Sequence, residues 1–255
     1  MIENNSKKEF FNKFEFSFQG QEVIFEIDQL ATKSEKSVLC RYGNTTVLTV
    51  LTIKQLAKGV NSFFPLTVTF EEKFYAVGRI PNAFGKREGK PSYDAITAAR
   101  MIDRSLRNFF PLVGKQEVQI SNCVLSLDKE CDPRLVSIWN SFLVCFLSPN
   151  LPFFQTLLAA VMISKEGDNF ICNPSNEKLN NSSLELMVSA TEEKITMLDG
   201  LAKEINEEEL EQAISFAQKE ILVLIGFFRH IANVLGAEKE KIVTKEDNLN
   251  TEQNE

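Results

Sequence analysis

The sequence predicts an α/β fold, a mixed sheet packed by helices, with a helical extension toward the C-terminal end. Three observations carry this. Two tight turns, Gln19-Gly20-Gln21 and Gly43-Asn44, each separate short runs rich in β-branched and aromatic residues. Two helices mark their own first turns, at Ser92 and at Asp132-Pro133. A 3.6-residue apolar period then runs from Leu210 to Leu235. Strands followed by helices suit an α/β domain, and 255 residues with 44% hydrophobic content allow one large or two small domains with a substantial core.

In chain order, residues 14 to 18 and 22 to 27 form the arms of a first hairpin, and VLCRYG and TTVLTVLT those of a second. Gly43 and Asn44 both tolerate positive φ, which suits the second turn. Leu66 to Phe70 alternates as a strand. Ser92 then caps a helix whose first turn holds Asp94, where the helix dipole favours a negative charge. Ala95, Ala99, Ile102 and Leu106 draw one apolar stripe along it. VQISNCVLSL is a β-rich run ending at Asp128. Asp132 caps the next helix, Pro133 takes its first position, and Leu135 to Leu147 is its apolar run. Leu157 to Pro174 reads as two strands around Lys165 to Asn169, and LELMVSAT as another.

Asn206 with Glu209 three residues later makes a capping arrangement for the last helix, which Gly236 can end. Its stripe of Leu210, Ile214, Ala217, Ile221, Leu224, Phe228, Ile231 and Leu235 suits either packing on its own sheet or pairing with another helix. The tail KEDNLNTEQNE has no apolar anchor and is expected to be disordered.

The formal net charge of −7 argues against nucleic-acid binding by the whole surface, so any such contact must be local. The five cysteines are odd in number and without a CxxC spacing, which suits free thiols in a reducing cytosol. With one histidine a metal cluster is not expected. The N-terminal MIENNSKKEFFNKF lacks the apolar run of a signal peptide, and no segment approaches the ~20 uninterrupted apolar residues of a membrane span.

The cations concentrate between Arg79 and Arg107. Arg100, Arg104 and Arg107 recur at four and three residues, roughly 130° around the helix from its apolar stripe at ~100° per residue. Upstream, Gly85, Lys86, Arg87, Gly89 and Lys90 form a basic loop preceded by Phe84. Guanidinium groups offer paired donors to phosphates and an aromatic ring offers a stacking face, which is what single-stranded nucleic acid needs. The competing reading is local, since Asp103 stands within one turn of both Arg100 and Arg107 and can hold either in an ion pair on a solvated face.

FFPLTVTFEEKFYAVGRIPNAFGKREGKPS followed by AARMIDRSLRNFFP closely resembles the first RNase PH-type domain of the bacterial polynucleotide phosphorylase family. The resemblance extends back through FEFSFQGQEVIFEIDQLATKSEKSVLCRYGNTTVLTV and forward through VQISNCVLSLDKECDPRLVSIWNSF and LELMVSAT. It implies an RNase PH-like domain over 10–205, a C-terminal helix with the start of a helical linker over 206–243, and tails at 1–9 and 244–255. It also implies phosphate-dependent 3′→5′ degradation of RNA to nucleoside diphosphates, with Mg2+ and inorganic phosphate used by the complete enzyme.

In that family a serine-rich cradle at a helix start, with aspartates and a lysine, forms the phosphorolytic centre, mainly in a second RNase PH-type half. Here the matching helix start reads Lys129-Glu130-Cys131-Asp132-Pro133 and the matching strand Glu185-Leu186-Met187. Two carboxylates repel phosphate, proline removes a donor, and methionine offers no cation. No catalytic or metal-binding residue is therefore expected in this chain, and none of these cofactors is expected to bind it alone. Glu185 reads as solvated and the lone His230 as packed or solvent-facing. The family's RNA-contacting positions carry over to Phe84, Lys86, Arg87, Arg100, Arg104 and Arg107, although Gly85 and Lys86 depart from the usual aromatic and arginine.

The expectation is the RNA-binding, non-catalytic N-terminal half of a phosphorolytic exoribonuclease, cytoplasmic and without a membrane. Its partners would be single-stranded RNA, a separate catalytic half and, in a three-fold ring, further copies of itself. The alternatives are a stand-alone RNA-binding or scaffold protein that has lost the reaction, and an autonomous exonuclease using Glu185 and Asp103.

Overall fold

The first hairpin turns where Gln19 and Gly20 both take positive φ, at 53° and 76°, the left-handed backbone that two-residue turns between twisted strands require. Its arms are β1 (Asn12–Phe18) and β2 (Gln21–Ile27), paired in register from Asn12↔Ile27 to Phe18↔Gln21. The second hairpin joins β3 (Lys36–Tyr42) to β4 (Thr45–Gln55). Of its two turn residues only Gly43 (φ 55°) is left-handed; Asn44 is not, because glycine at the first position suffices to reverse the chain. The computed structural model describes residues 12–56, 63–82, 84–167 and 169–237, and the tails expected at 1–9 and 244–255 lie outside them.

After β5 (Leu66–Glu72), a 3-10 helix over Phe74–Val77 and the basic loop lead into α1 (Tyr93–Arg107). This long excursion brings β6 (Gln116–Ser126) back parallel to β5, as a crossover connection must, while every other pair in the sheet is antiparallel. The six strands run β1-β2-β3-β4-β6-β5, leaving β5 at an edge.

Next, α2 (Pro133–Leu147) lies against β3, β4 and β6 on one side and β7 (Ala159–Glu166) on the other. All its residues from Leu135 to Leu147 are buried. A helix apolar all round needs neighbours all round, and α2 sits between two sheets. The indole Nε1 of Trp139 donates to the Ala160 carbonyl at 2.7 Å, and Asn140 donates to the Val47 carbonyl at 3.0 Å, fixing the helix against both layers. The second sheet, β10-β9-β7-β8, adds β8 (Asn169–Cys172), β9 (Leu184–Ala190) and β10 (Ile195–Ala202), all antiparallel.

A short α3 (Asn176–Asn181) and β10 are absent from the sequence-based expectation. Asp199-Gly200 would ordinarily signal a turn. Here the glycine stays in a strand because β9 passes so close that a Cβ would lie 2.1 Å from the Glu185 carbonyl oxygen.

The last helix, α4 (Glu207–Val234), opens on the expected capping box of Asn206 and Glu209, and Gly236 follows it at φ 63°. Its apolar stripe covers β7, β8 and β9. It also reaches the first sheet, where Phe227 stacks on Phe16 at 4.1 Å and Phe228 meets Phe25 edge-on at 5.7 Å. The periodicity is therefore satisfied within the chain. No helix among the described residues is long and apolar enough to cross a membrane.

Candidate nucleic-acid interface

The geometry of α1 follows from its cap. Ser92 Oγ accepts the Ala95 N–H at 3.1 Å, and the helix then buries Ala95, Ala98, Met101, Ile102, Ser105 and Leu106. That phase leaves Arg100, Arg104 and Arg107 exposed on the other side. The three guanidiniums do not share one fate. Arg107 grips Asp103 through two bonds, Nε to Oδ2 at 2.8 Å and Nη2 to Oδ1 at 2.6 Å, and also donates to the Leu66 carbonyl. Arg104 pairs with Asp199 of β10 at 2.9 Å. Arg100 has no acidic partner among the described residues and lines a groove of 390 Å3 between α1 and the open edge of β5, beside Thr67, Thr69 and Ile96. The ion pair that Asp103 could make thus forms with Arg107, and among the described residues the cationic ridge runs from an unpaired Arg100 to the tethered Arg104 and Arg107.

The basic loop is folded over a second cavity. Gly78, left-handed at φ 68°, ends the 3-10 helix, and Arg79 N–H returns to the Phe74 carbonyl at 2.9 Å. From the far end of the loop, Glu88 accepts the Phe74 N–H at 3.0 Å. The half-open space beneath it, 620 Å3, is lined by Arg79, Arg87 and Lys90 together with Phe74 and Val77. Arg87 therefore faces a cavity, whereas Phe84 is fully exposed and Lys86 stands at positive φ (48°) on the outer surface of the loop. Glu71, Pro91 and Ala95 line both spaces, so they adjoin along the start of α1. Arg79 and Lys90 belong to this surface although neither is among the six RNA-contacting positions expected from the resemblance; their place in the Arg79–Arg107 cluster, and that of Lys90 in the basic loop, was the available signal.

At the start of α2 the chemistry is the opposite. Asp128 Oδ1 takes the N–H groups of Glu130 and Cys131 at 2.8 and 3.0 Å, and Asp132 Oδ1 takes that of Arg134 at 2.7 Å. The donors a phosphate would need are occupied by the chain's own carboxylates. Arg134 then bridges outward, with Nη2 2.6 Å from Asp132 Oδ2 and 3.4 Å from Glu185 Oε1. Burial disfavours its charge, but Asp132 and then Glu185 outweigh that and raise its pKa further. Partial burial, followed by Asp132 and Asp94 and opposed by Arg134, lifts the nearby Glu72 carboxyl above the usual carboxylate range. Glu185 is thus engaged rather than simply solvated. The sequence reading missed Arg134, whose second partner lies on a strand 51 residues away.

The other candidates lie elsewhere. Met187 is buried in β9, and exposed His230 packs edge-on to Phe14 at 6.4 Å on the α4 side. The five cysteines are free, four of them buried. Among the described residues no three His, Cys, Asp or Glu side chains converge as a metal site.

Residues 19–164 match the family model described as 3′ exoribonuclease family, domain 1, and residues 156–220 the model for domain 2 of the same family. The polyribonucleotide nucleotidyltransferase of Anoxybacillus flavithermus is 39% identical over 239 residues, which cover 94% of this chain and 34% of that protein. That of Bacillus subtilis is 38% identical over 229 residues, covering 90% and 32%. The chain therefore spans about a third of the length of these curated relatives. Among solved structures, a chain of the Archaeoglobus fulgidus exosome with RNA bound to the active site has the same fold, with a TM-score of 0.62 at 16% identity over 83% of this chain and 89% of that one.

Proposed function

Because this chain belongs to the 3′ exoribonuclease family of RNase PH domains, we propose that it is the RNA-guiding, non-catalytic half of a phosphorolytic 3′→5′ exoribonuclease. The observation that carries the proposal is the contrast between its two helix starts. At α2 the donors and charges that would hold phosphate are consumed internally by Asp128, Asp132, Arg134 and Glu185. At α1 the cations face open space.

Phosphorolysis requires inorganic phosphate held against the terminal phosphodiester with its developing charge neutralised. Here Asp132 and Glu185 meet on the Arg134 guanidinium, a cation standing where Mg2+ would be needed, and among the described residues no three His, Cys, Asp or Glu side chains group to hold the metal. What the chain's own residues do fit is a threading polyanion. Arg100, Arg87 and Lys86 supply charge without a fixed partner, Phe84 supplies a bare aromatic face, and the tethered Arg104 and Arg107 keep the ridge aligned. In this reading the reaction, with its metal and phosphate, takes place on a separate catalytic half, and copies of the assembly form a three-fold ring around the RNA. Five free thiols suit the reducing cytoplasm as its location.

The test is phosphorolysis of poly(A) by the purified chain with phosphate and magnesium, alone and mixed with a candidate catalytic half. ADP release only from the mixture is expected. ADP release by the chain alone would refute the non-catalytic assignment.

A further inference from the structure

We infer that Asp199 is a built-in restraint on the arginine ridge: its carboxylate competes with an RNA phosphate for Arg104, so that the ridge holds a threading strand loosely enough for it to advance. This role rests on the RNA-guiding reading and adds to it the residue that limits the grip.

Asp199 faces α1 because of a β-bulge. Strand β10 pairs with β9 as Ile195↔Ala190 and then as Met197↔Ser189, so Thr196 is an extra residue on β10. Without it Asp199 would stand opposite Leu186; with it Asp199 stands opposite Met187. A one-residue slip carries every later side chain to the other face of the sheet. Met187 shares its face with Glu185 and Ser189, which reach Arg134 of α2 and Ser105 of α1, so the bulge turns Asp199 toward the helices.

Packing then pins the strand in that place. The buried Ser105 hydroxyl lies 3.1 Å from Ser189 Oγ and 3.3 Å from Met197 Sδ, which are partners across the two strands. Met197 and Asp199 are two residues apart and share a face, while Ser105 and Arg104 are consecutive on α1. On the other side of Asp199, Gly200 runs too close to the Glu185 carbonyl for a side chain. The carboxylate is thus delivered to Arg104 by the fold and not by the drift of two surface chains.

The pair is also graded to yield. Arg107 is held by two bonds to Asp103 and one to the Leu66 carbonyl, and Arg100 has no acidic partner among the described residues. Arg104 stands between these extremes: Nη2 lies 2.9 Å from Asp199 Oδ1 while the side chain remains 56% exposed. An ion pair that open to water is weak, so a phosphate can displace the carboxylate, but each new contact is offset by the one it breaks. Shortening RNA from its end requires the strand to advance after every step, and each phosphate contact must break for it to move. Three unrestrained guanidiniums in one row would resist that movement.

The experiment is fluorescence anisotropy of the full chain with a labelled oligoadenylate between about 50 and 200 mM salt, where each single-strand phosphate contact adds a slope of about 0.7. Asp199→Asn keeps the shape and removes the charge; Asp199→Glu keeps the charge. Asp199→Asn should tighten binding about threefold and steepen the slope, and Asp199→Glu should stay near the wild type. Arg104→Gln should weaken binding about twofold in the wild type but about fivefold beside Asp199→Asn. The restraint is overturned if Asp199→Asn leaves affinity unchanged or weakens it, if Asp199→Glu tightens binding equally, or if Arg104→Gln has the same effect in both backgrounds. Arg100→Gln separates the two proposals. If it weakens binding while Asp199 and Arg104 show no coupling, the RNA-guiding reading stands and the restraint falls; if neither arginine variant weakens binding in either background, both fall.

Discussion

Two helix starts about 40 residues apart in this chain show that helices alike in length and capping can be surrounded by opposite arrangements of charge. Both α1 and α2 are 15 residues long and open on a side-chain cap, so both offer the same partial positive charge from aligned peptide dipoles. Around α2 the charges are engaged with one another: Asp128 and Asp132 cap the N–H groups, and Arg134 pairs with Asp132 and Glu185, while Lys129 and Glu130 stay exposed. Around α1 the charges come from a loop and from an outward helix face, and most have no internal partner. Breaking the partly buried ion network at α2 leaves carboxylates without their counter-ion and is costly, whereas scattered exposed cations contribute almost nothing to stability and remain available to a ligand.

The sharpest way to break this contrast is through the strand that places Glu185. Gly200→Ala puts a methyl group 2.1 Å from the Glu185 carbonyl oxygen, so β9 or β10 must shift. We expect a loss of about 3 kcal/mol in urea unfolding, near the upper end of overpacking costs. Next in size is Arg134→Ala, which strands Asp132 and Glu185 without their counter-ion and should cost about 2–3 kcal/mol, whereas Arg100→Ala should stay within about 0.5 kcal/mol. Equal costs for the two arginines would erase the distinction between a network and a free ridge.

Smaller effects separate residues within the ridge. Arg104→Gln should weaken single-stranded RNA binding less than Arg100→Gln, about twofold against about fivefold in fluorescence anisotropy, because Asp199 already offsets the Arg104 charge. The smallest concerns Glu72, whose carboxyl is raised by partial burial and by Asp132 and Asp94. For a raised carboxyl the folded state favours the protonated form, so its cost is absent below the ordinary carboxylate range and is fully felt above the folded pKa. Glu72→Gln should therefore stabilise slightly at pH 7, by under about 0.5 kcal/mol, with the gain shrinking as pH falls through that range. A gain that grows on acidification would contradict the assigned direction.

Much of this was legible locally. Ser92, Asp132-Pro133 and Asn206 with Glu209 are caps whose partners lie within three residues, so a linear sequence shows them as plainly as coordinates do. The hairpin turns were readable for the same reason. What escaped the sequence depends on approach between distant segments. Arg134 meets Glu185 and Arg104 meets Asp199 only because β9 and β10 are laid beside the two helices. Gly200 keeps a strand straight where its dipeptide would signal a turn, because of the close pass of β9. The basic loop could be seen as basic, but the cavity under it exists only through the Glu88 to Phe74 closure. The six positions carried over from the resemblance consequently separate in space: Arg87 lines the cavity, Arg100 and Arg107 the groove, Arg104 is tied to β10, and Phe84 and Lys86 stand outside both spaces.

The most direct test of the whole account is the salt dependence of single-stranded RNA affinity in Arg100→Glu and Arg134→Gln, each beside the wild type between 50 and 200 mM salt, a range over which each single-strand phosphate contact contributes a slope of about 0.7. The account predicts that Arg100→Glu lowers affinity about tenfold and flattens the slope, while Arg134→Gln leaves both within about twofold. The reverse pattern, with RNA affinity lost at Arg134 and preserved at Arg100, would place the anion site at the start of α2 and contradict it.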